Sequence, residues 1–232
     1  MIILSPRLAA VASYVLKAQP VADIGTDHAY LPAYLVQGGA VPRAIAADVL
    51  PGPLEAAKVT VAEAGLNGLV DLRLGNGLQV LQPGEAATAT ICGMGGPLIA
   101  EILAQGPLQG LQRLVLQPMG GEESLRRWLM ENGWILIDET MVEDSGRIYI
   151  IMAAEPGAMD LTWADACLGP HLLKKGGPLL AKYAAILLEQ ARRAQSGAAR
   201  SDRPESRARA EALAIRIHLL EEVSRNAGSD HR

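Results

Sequence analysis

The apolar positions of this chain change their period along its length, and each change marks an element. Over residues 5–17, Leu8, Val11, Ala12 and Val15 fall on one stripe while Arg7, Ser13 and Lys17 fall off it, which predicts a helix with one buried face. Residues 19–25 form a short apolar run that predicts a strand, and residues 30–38 predict a helix stopped by Gly38-Gly39. A second strand is predicted over residues 43–48, ending on the carboxylate of Asp48. Pro51-Gly52-Pro53 then opens a helix that Gly65 ends, since Pro suits the first turn and Gly the position past the last. Strands over residues 69–74, 88–92 and 114–116 alternate with helices over 97–105 and 122–132. In the latter helix Leu125, Trp128 and Leu129 share a face and Gly133 is the stop.

Residues 134–155 break this rhythm, because two long strand-like runs meet at Asp144-Ser145-Gly146, a hairpin signal. Five strands alternating with helices and then an antiparallel hairpin is the order of a Rossmann-like α/β fold: a seven-stranded, mostly parallel sheet with an antiparallel last strand. Right-handed crossovers put its active edge at the strand C-terminal ends, where Asp23, Asp48, Asn76 and Gly93 fall. Beyond Gly169 the helical period returns. Leu180, Tyr183, Leu187 and Ala191, then Ala210, Leu213, Ile217 and Leu220, step by three and four on either side of a polar break at residues 196–204. They predict a C-terminal α-helical hairpin with a narrow, coiled-coil-like seam and a mobile, Ala/Arg/Ser-rich connection. The expected domains are residues 1–158 and 159–232.

Charge follows the same division. The 232 residues carry a net charge of −4, yet residues 1–169 hold 9 Lys and Arg against 18 Asp and Glu, and residues 170–232 hold 12 against 7. An acidic body with a basic tail raises the question of a polyanionic partner. The two cysteines, Cys92 and Cys167, have neither disulfide density nor metal-ligand spacing, so a reduced, cytoplasmic protein without structural metal is expected. The apolar opening breaks at Pro6-Arg7 and no long apolar run follows, which predicts no leader and no membrane span. Phe is absent, and Tyr30 is the aromatic residue inside the candidate site.

That site is the stretch Asp23-Ile24-Gly25-Thr26-Asp27-His28-Ala29-Tyr30-Leu31-Pro32, a strand, a tight turn and a helix start. Backbone N–H groups at such a junction suit nucleotide-like ligands, and a Gly permits close approach to the main chain. The dinucleotide pattern Gly-x-Gly-x-x-Gly is missing, Asp27 would confront a pyrophosphate, and no P-loop is present. An acidic turn suits a cationic ligand such as S-adenosyl-L-methionine. Asp48, 25 residues after Asp23, is placed to accept hydrogen bonds from ribose hydroxyls. Asp27 has two candidate uses: capping the helix through its side chain, or contacting substrate together with His28.

Asp-Ile-Gly-Thr-Asp-His-Ala-Tyr-Leu-Pro, with Arg-Leu-Gly-Asn-Gly-Leu at 73–78 and Gly-Met-Gly-Gly at 93–96, resembles the bacterial tRNA (adenine-22-N1)-methyltransferase family. The resemblance implies a class I methyltransferase fold, S-adenosyl-L-methionine as cofactor, and methylation of N1 of adenine 22 in the D-arm of tRNA by a monomer. It implies cofactor contacts at Asp23, Gly25, Asp48, Val49, Asn76, Gly77, Gly93 and Met94. Asp27 and His28 are the expected catalytic pair, with substrate contacts at Tyr30, Arg7, Lys174, Lys175, Arg192 and Arg193. Arg200, Arg203, Arg207 and Arg209 extend the basic surface. Gly-Met-Gly-Gly stands where amino-group methyltransferases carry an Asp/Asn-Pro-Pro-aromatic motif, which argues against an exocyclic amine as acceptor. Relatives commonly have Ala where this chain has Cys92, expected to be a buried inert thiol, and often Asn where it has Met119, to which no catalytic role is assigned. Two other readings stay open at this point: a methyltransferase for a small molecule or protein, and a cofactor-binding RNA chaperone without chemistry.

Overall fold

The computed structural model describes residues 2–198 and 203–226, and divides the chain into two compact units, Met1–Thr162 and Trp163–Arg232. In the first unit, helices α1 (Pro6–Tyr14), α2 (Tyr30–Gln37), α3 (Pro51–Glu63), α4 (Gly96–Gln105) and α5 (Glu122–Glu131) surround one seven-stranded sheet. Its strands are β1 (Val21–Ile24), β2 (Ala44–Asp48), β3 (Val70–Leu74), β4 (Thr88–Met94), β5 (Arg113–Pro118), β6 (Trp134–Asp144) and β7 (Arg147–Pro156), in the order β3-β2-β1-β4-β5-β7-β6. The first five run parallel, and β7 is antiparallel to both β5 and β6. The predicted alternation and the closing hairpin are therefore the observed ones.

The central strands are buried on both faces, so their sequences read as continuous apolar runs rather than alternating ones. Without Phe, the core is assembled from Val, Leu, Ile and Ala: Val11 of α1 and Val15 just past its end, Leu31 and Leu35 of α2, and Val61 of α3 belong to one cluster with Val21, Ala44, Ala46 and Val70 of the strands. The strand order reverses between β1 and β4, the switch point at which open α/β sheets leave a crevice beyond their strand ends. Two details there depart from the predicted elements. Strand β4 extends to Met94 through a register irregularity between Cys92 and Met94, and a single 3-10 turn occupies Gly77–Val80.

The second unit holds two short helices that the periodicity did not predict, α6 (Trp163–Leu168) and α7 (Pro170–Lys175), and then α8 (Pro178–Ala198) and α9 (Pro204–Asn226). Arg192 of α8 pairs with Glu221 of α9 and Gln195 with the Ala210 carbonyl, so the two helices run antiparallel. Along the predicted seam Leu180, Tyr183, Ala191 and Leu220 are buried, and Leu187, Leu213 and Ile217 half-buried. Of the polar break expected over residues 196–204, residues 196–198 continue α8, while residues 199–202, Arg200 among them, lie outside the described residues, as does the side chain of Arg209. Among the described residues no helix is long and apolar enough to cross a membrane.

Candidate active site at the strand ends

A cleft of about 740 Å³ opens at the C-terminal ends of β1, β2 and β4, within the size range of small-molecule sites. Of the residues expected to form a site, it brings together Arg7, Asp23, Gly25, Asp27, His28, Tyr30, Asp48, Gly93 and Met94. It does not include Val49, whose side chain is exposed, or Asn76 and Gly77. Asn76 lines a separate hollow with Arg73 and Gln79 at the end of β3, and Gly77 is explained by packing, because a Cβ there would stand 2.9 Å from Ile102. Lys174, Lys175, Arg192 and Arg193 belong to the second unit. There Arg192 and Arg193 pair with Glu221 and Glu189, while Lys174 is exposed on the last turn of α7.

The acidic turn is built from the inside outward. Asp23 is buried and accepts the hydroxyls of Thr26, at 2.8 Å, and Thr90, at 2.6 Å. It thus ties the loop to β4 through side chains rather than through the loop amides. Burial pushes its carboxyl above the ordinary carboxylate range, with the Thr90 and Thr26 hydroxyls and the Arg7 charge acting the other way. The Gly25 and Thr26 amides both bond to the Ala47 carbonyl, at 2.8 and 3.0 Å, so β2 uses the N–H groups that a bound anion would otherwise meet. Gly25 is left-handed at φ 74°, and the space where a Cβ would stand is taken by the Met94 methyl. The close neighbour over Gly25 is accordingly Met94 itself.

After Thr26 the chain makes an unusual entry into α2. Asp27 and Ala29 both take left-handed backbone conformations, φ 52° and 54°, and the N-cap of α2 is Ala29, with no side-chain cap. The capping use of Asp27 therefore does not occur. Left-handed non-glycine residues cost free energy and cluster where a surrounding fold holds side chains for use. Their effect here is to turn Asp27 and His28 outward at the cleft, with side chains 73% and 46% exposed and 3.6 Å between Asp27 Oδ1 and His28 Nε2. Tyr30 stacks on His28 with ring centroids 5.4 Å apart. On the next strand, Asp48 Oδ1 accepts the Leu50 N–H at 2.9 Å, which fixes the carboxylate at the cleft wall.

The opposite wall contains residues that the motifs did not single out. Arg7 Nη1 donates to Gln117 Oε1 at 2.7 Å, and the same oxygen accepts the Gly93 N–H at 3.2 Å. The Arg7 guanidinium lies over the Tyr149 ring, 5.6 Å from its centroid, and Asp144 accepts both the Ser5 hydroxyl and the Arg7 amide. These contacts bind the start of α1 to the β6–β7 hairpin. Gln117 could have been noticed as a polar residue at the end of the apolar run Leu114-Val115-Leu116, and Thr90 as a polar residue between Ala89 and Ile91, whereas Ile3, Leu4 and Tyr149 offered no pattern. Cys92 is half-buried on the cleft wall rather than buried, and loss of hydration, with Asp23 nearby, pushes its thiol well above the ordinary range. An inert thiol is the result. Met119 lines the cleft and is exposed.

This arrangement fits S-adenosyl-L-methionine. The cleft lining is acidic, with Asp23, Asp27 and Asp48, which suits a ligand that carries cationic groups, and the bare α-carbon of Gly93 leaves open space at the wall, its missing Cβ having only Arg7 Nη1 at 4.0 Å. Comparison with known proteins agrees. Residues 4–152 match the family model described as Methyltransferase domain. The chain is 38% identical to the tRNA (adenine(22)-N(1))-methyltransferase of Bacillus subtilis over 95% of its own length and 96% of the relative's. It superposes on the crystal structure of the B. subtilis M1A22 tRNA methyltransferase TrmK with a TM-score of 0.90 at 36% identity, covering 97% of this chain and 100% of that one. A Streptococcus pneumoniae structure in complex with S-adenosyl-L-methionine matches with a TM-score of 0.87 at 35% identity, over 96% of this chain and 100% of the other.

Proposed function

This chain belongs to the tRNA (adenine(22)-N(1))-methyltransferase family, and from that premise we propose how its own residues carry out the reaction. It is an S-adenosyl-L-methionine-dependent enzyme that methylates N1 of adenine 22 in tRNA. The observation that carries this conclusion is identity extending through both units to 96% of a relative with that activity. Work on tRNA supports a cytoplasmic location.

When bound, the donor supplies an electrophilic methyl group on a sulfonium. Adenine N1 has an in-plane lone pair, so no base is needed to create the nucleophile, and positioning contributes most of the rate. N1 lies on the pairing edge, so the base must leave its stack to be reached. Tyr30, stacked on His28 and about half exposed, offers a ring face for the extruded adenine. Asp27 accepts from the exocyclic amine and offsets the positive charge that develops on the ring. His28, 3.6 Å away, orients that carboxylate and can relay the departing proton. Asp48 accepts the ribose hydroxyls, and Asp23 sets the loop on which Asp27 sits. The cations of the second unit, Lys174, Lys175, Arg192 and Arg193, supply attraction for phosphates that an acidic cleft cannot.

The test is to incubate the purified chain with methyl-labelled donor and unmodified tRNA transcripts carrying A or G at position 22, then map reverse-transcription stops. Label and a stop at position 22 in the A transcript alone are expected. Equal labelling of the G transcript, or label found only on protein, would reject the assignment.

A further inference from the structure

His28 and Tyr30 border two hollows at once: the cleft, and a neighbouring hollow of about 540 Å³ on the side of α2 and α3. From α3 the second hollow takes Ala56, Val59, Thr60 and Glu63, which step by three and four and so share a helix face apart from the core-facing Leu54, Ala57 and Val61. Val59 is 56% exposed there although apolar. The N-terminal segment runs past both hollows. Ile2 borders the second, with its N–H held by Gln37 Oε1 at 3.1 Å, and Ile3 and Leu4 border the cleft.

The His28 and Tyr30 rings are nearly parallel, with 16° between their planes. Such a stack uses one face of each ring and leaves the other face of each for a further flat group. Extruding an adenine from its strand needs two such faces, because the base next to it loses its stacking partner at the same moment. Charge decides what the second hollow suits. Among the described residues lining it none is Lys or Arg, and Glu63 is an acid, so a phosphate is disfavoured. Apolar Ala56 and Val59 beside the polar ends of Gln37, Thr60 and Glu63 match a flat apolar body with a hydrogen-bonding edge. We propose that this hollow binds the nucleobase adjacent to the target adenine in the RNA strand, so that the His28–Tyr30 pair stands as a wedge between the two bases. The inference rests on the tRNA reading above and adds a second base site to it.

The experiment compares tRNA transcripts that are intact, abasic immediately 5′ of the target adenine, or abasic immediately 3′ of it, as substrates of the full chain, Val59→Gln and Thr60→Val. An abasic nucleotide keeps its phosphate and sugar, so only base contacts are removed. Val59→Gln puts an uncharged side chain into the hollow from an exposed helix position, and Thr60→Val keeps the side-chain shape while removing the hydroxyl. Calorimetric binding of S-adenosyl-homocysteine should be unchanged in both variants; should one lose it, the other carries the comparison. Because the contact forms only once the adenine has left its stack, its loss should lower kcat and leave KM nearly unchanged. At one of the two abasic positions, the ratio of kcat on intact to kcat on abasic transcript should be about 5- to 150-fold smaller in Val59→Gln than in the full chain. In Thr60→Val it should be about 3- to 10-fold smaller. What the lesion does to the RNA itself is common to all three enzymes and cancels in this comparison. Ratios that agree among the three enzymes at both positions overturn the inference. So does a rise in KM on all transcripts alike, which makes the hollow a contact for the RNA backbone. No methylation of the intact transcript by the full chain overturns the tRNA reading, and the base site with it.

Discussion

The cleft unit, Met1–Thr162, and the helical unit, Trp163–Arg232, are built from opposite charge and from different kinds of packing. The first carries 9 basic against 17 acidic residues and is held by a sheet whose middle strands are buried on both faces. The second carries 12 basic against 8 acidic residues, and its long helices meet along a narrow apolar seam edged by exposed ion pairs such as Arg192–Glu221. Strand ends fixed in a dense core can hold side chains to within the fraction of an ångström that chemistry needs. Long-range attraction to a polyanion needs only charge, and a charged helix provides it with little packing precision. The difference teaches a division of labour: lesions in the cleft should change turnover, and lesions on the helices should change the hold on RNA.

The sharpest break in that division would come from Asp27. Replacing it with Ala should lower kcat for tRNA about 10²- to 10³-fold, the usual effect of removing one charge-stabilising group. Binding of S-adenosyl-homocysteine should change less than about twofold, because Asp23 rather than Asp27 holds the loop. A comparable fall in cofactor affinity, measured by calorimetry, would make Asp27 a cofactor residue instead. Next in size is a structural lesion in the same unit. Arg73 grips Glu85 through two bonds, at 2.7 and 2.5 Å, and also reaches the Val80 carbonyl, pinning the loop between β3 and β4. The Arg73 bonds lower the Glu85 pKa from 4.5 to about 2. With a depressed folded-state pKa, its contribution is present above pH 4.5 and is lost as pH falls toward 2. Glu85→Gln should therefore cost about 1–3 kcal/mol in urea unfolding at pH 7, and its deficit should shrink across that acid window.

How much of this was legible beforehand depended on what each residue answers to. Strands β1 to β5 and helices α1 to α5 were readable because their apolar positions serve one local period and their ends carry Gly or Pro. Asp23, Asp27, His28 and Asp48 were readable as polar residues at predicted strand ends, and all four line the cleft. Helices α6 and α7 span six residues each, too few to show a period. Gln117 and Tyr149 act on Arg7 across 110 and 142 positions of chain, a relation that no local pattern records. Whether Asp27 caps α2 could not be decided from residue type for a related reason: Asp27 is a good cap by type, but the left-handed turn at Asp27 and Ala29 puts the cap two residues on. Asn76 and Gly77 were placed by motif, and in the fold one faces a neighbouring hollow while the other makes room for Ile102.

On the helical unit the expected effects are smaller and of another kind. Lys174→Ala and Lys175→Ala should each raise the KM for tRNA a few-fold and leave kcat unchanged, with the slope of log KM against log salt falling by about 0.7–0.9 for each phosphate that is no longer neutralised. A change in kcat with no change in salt slope would break the division. Smallest of all is the Arg192–Glu221 pair, whose side chains are 59% and 36% exposed at 2.6 Å. Solvent screening limits such a pair to about 1 kcal/mol or less, so a double-mutant cycle of Arg192→Ala and Glu221→Ala, followed by thermal unfolding, should give a coupling energy in that range that salt erodes. The two single variants then separate the two uses of Arg192. If it serves RNA, Arg192→Ala weakens tRNA binding while Glu221→Ala, which frees the guanidinium, strengthens it slightly; if it only ties α8 to α9, the two variants lower the unfolding midpoint alike and leave tRNA binding where it was.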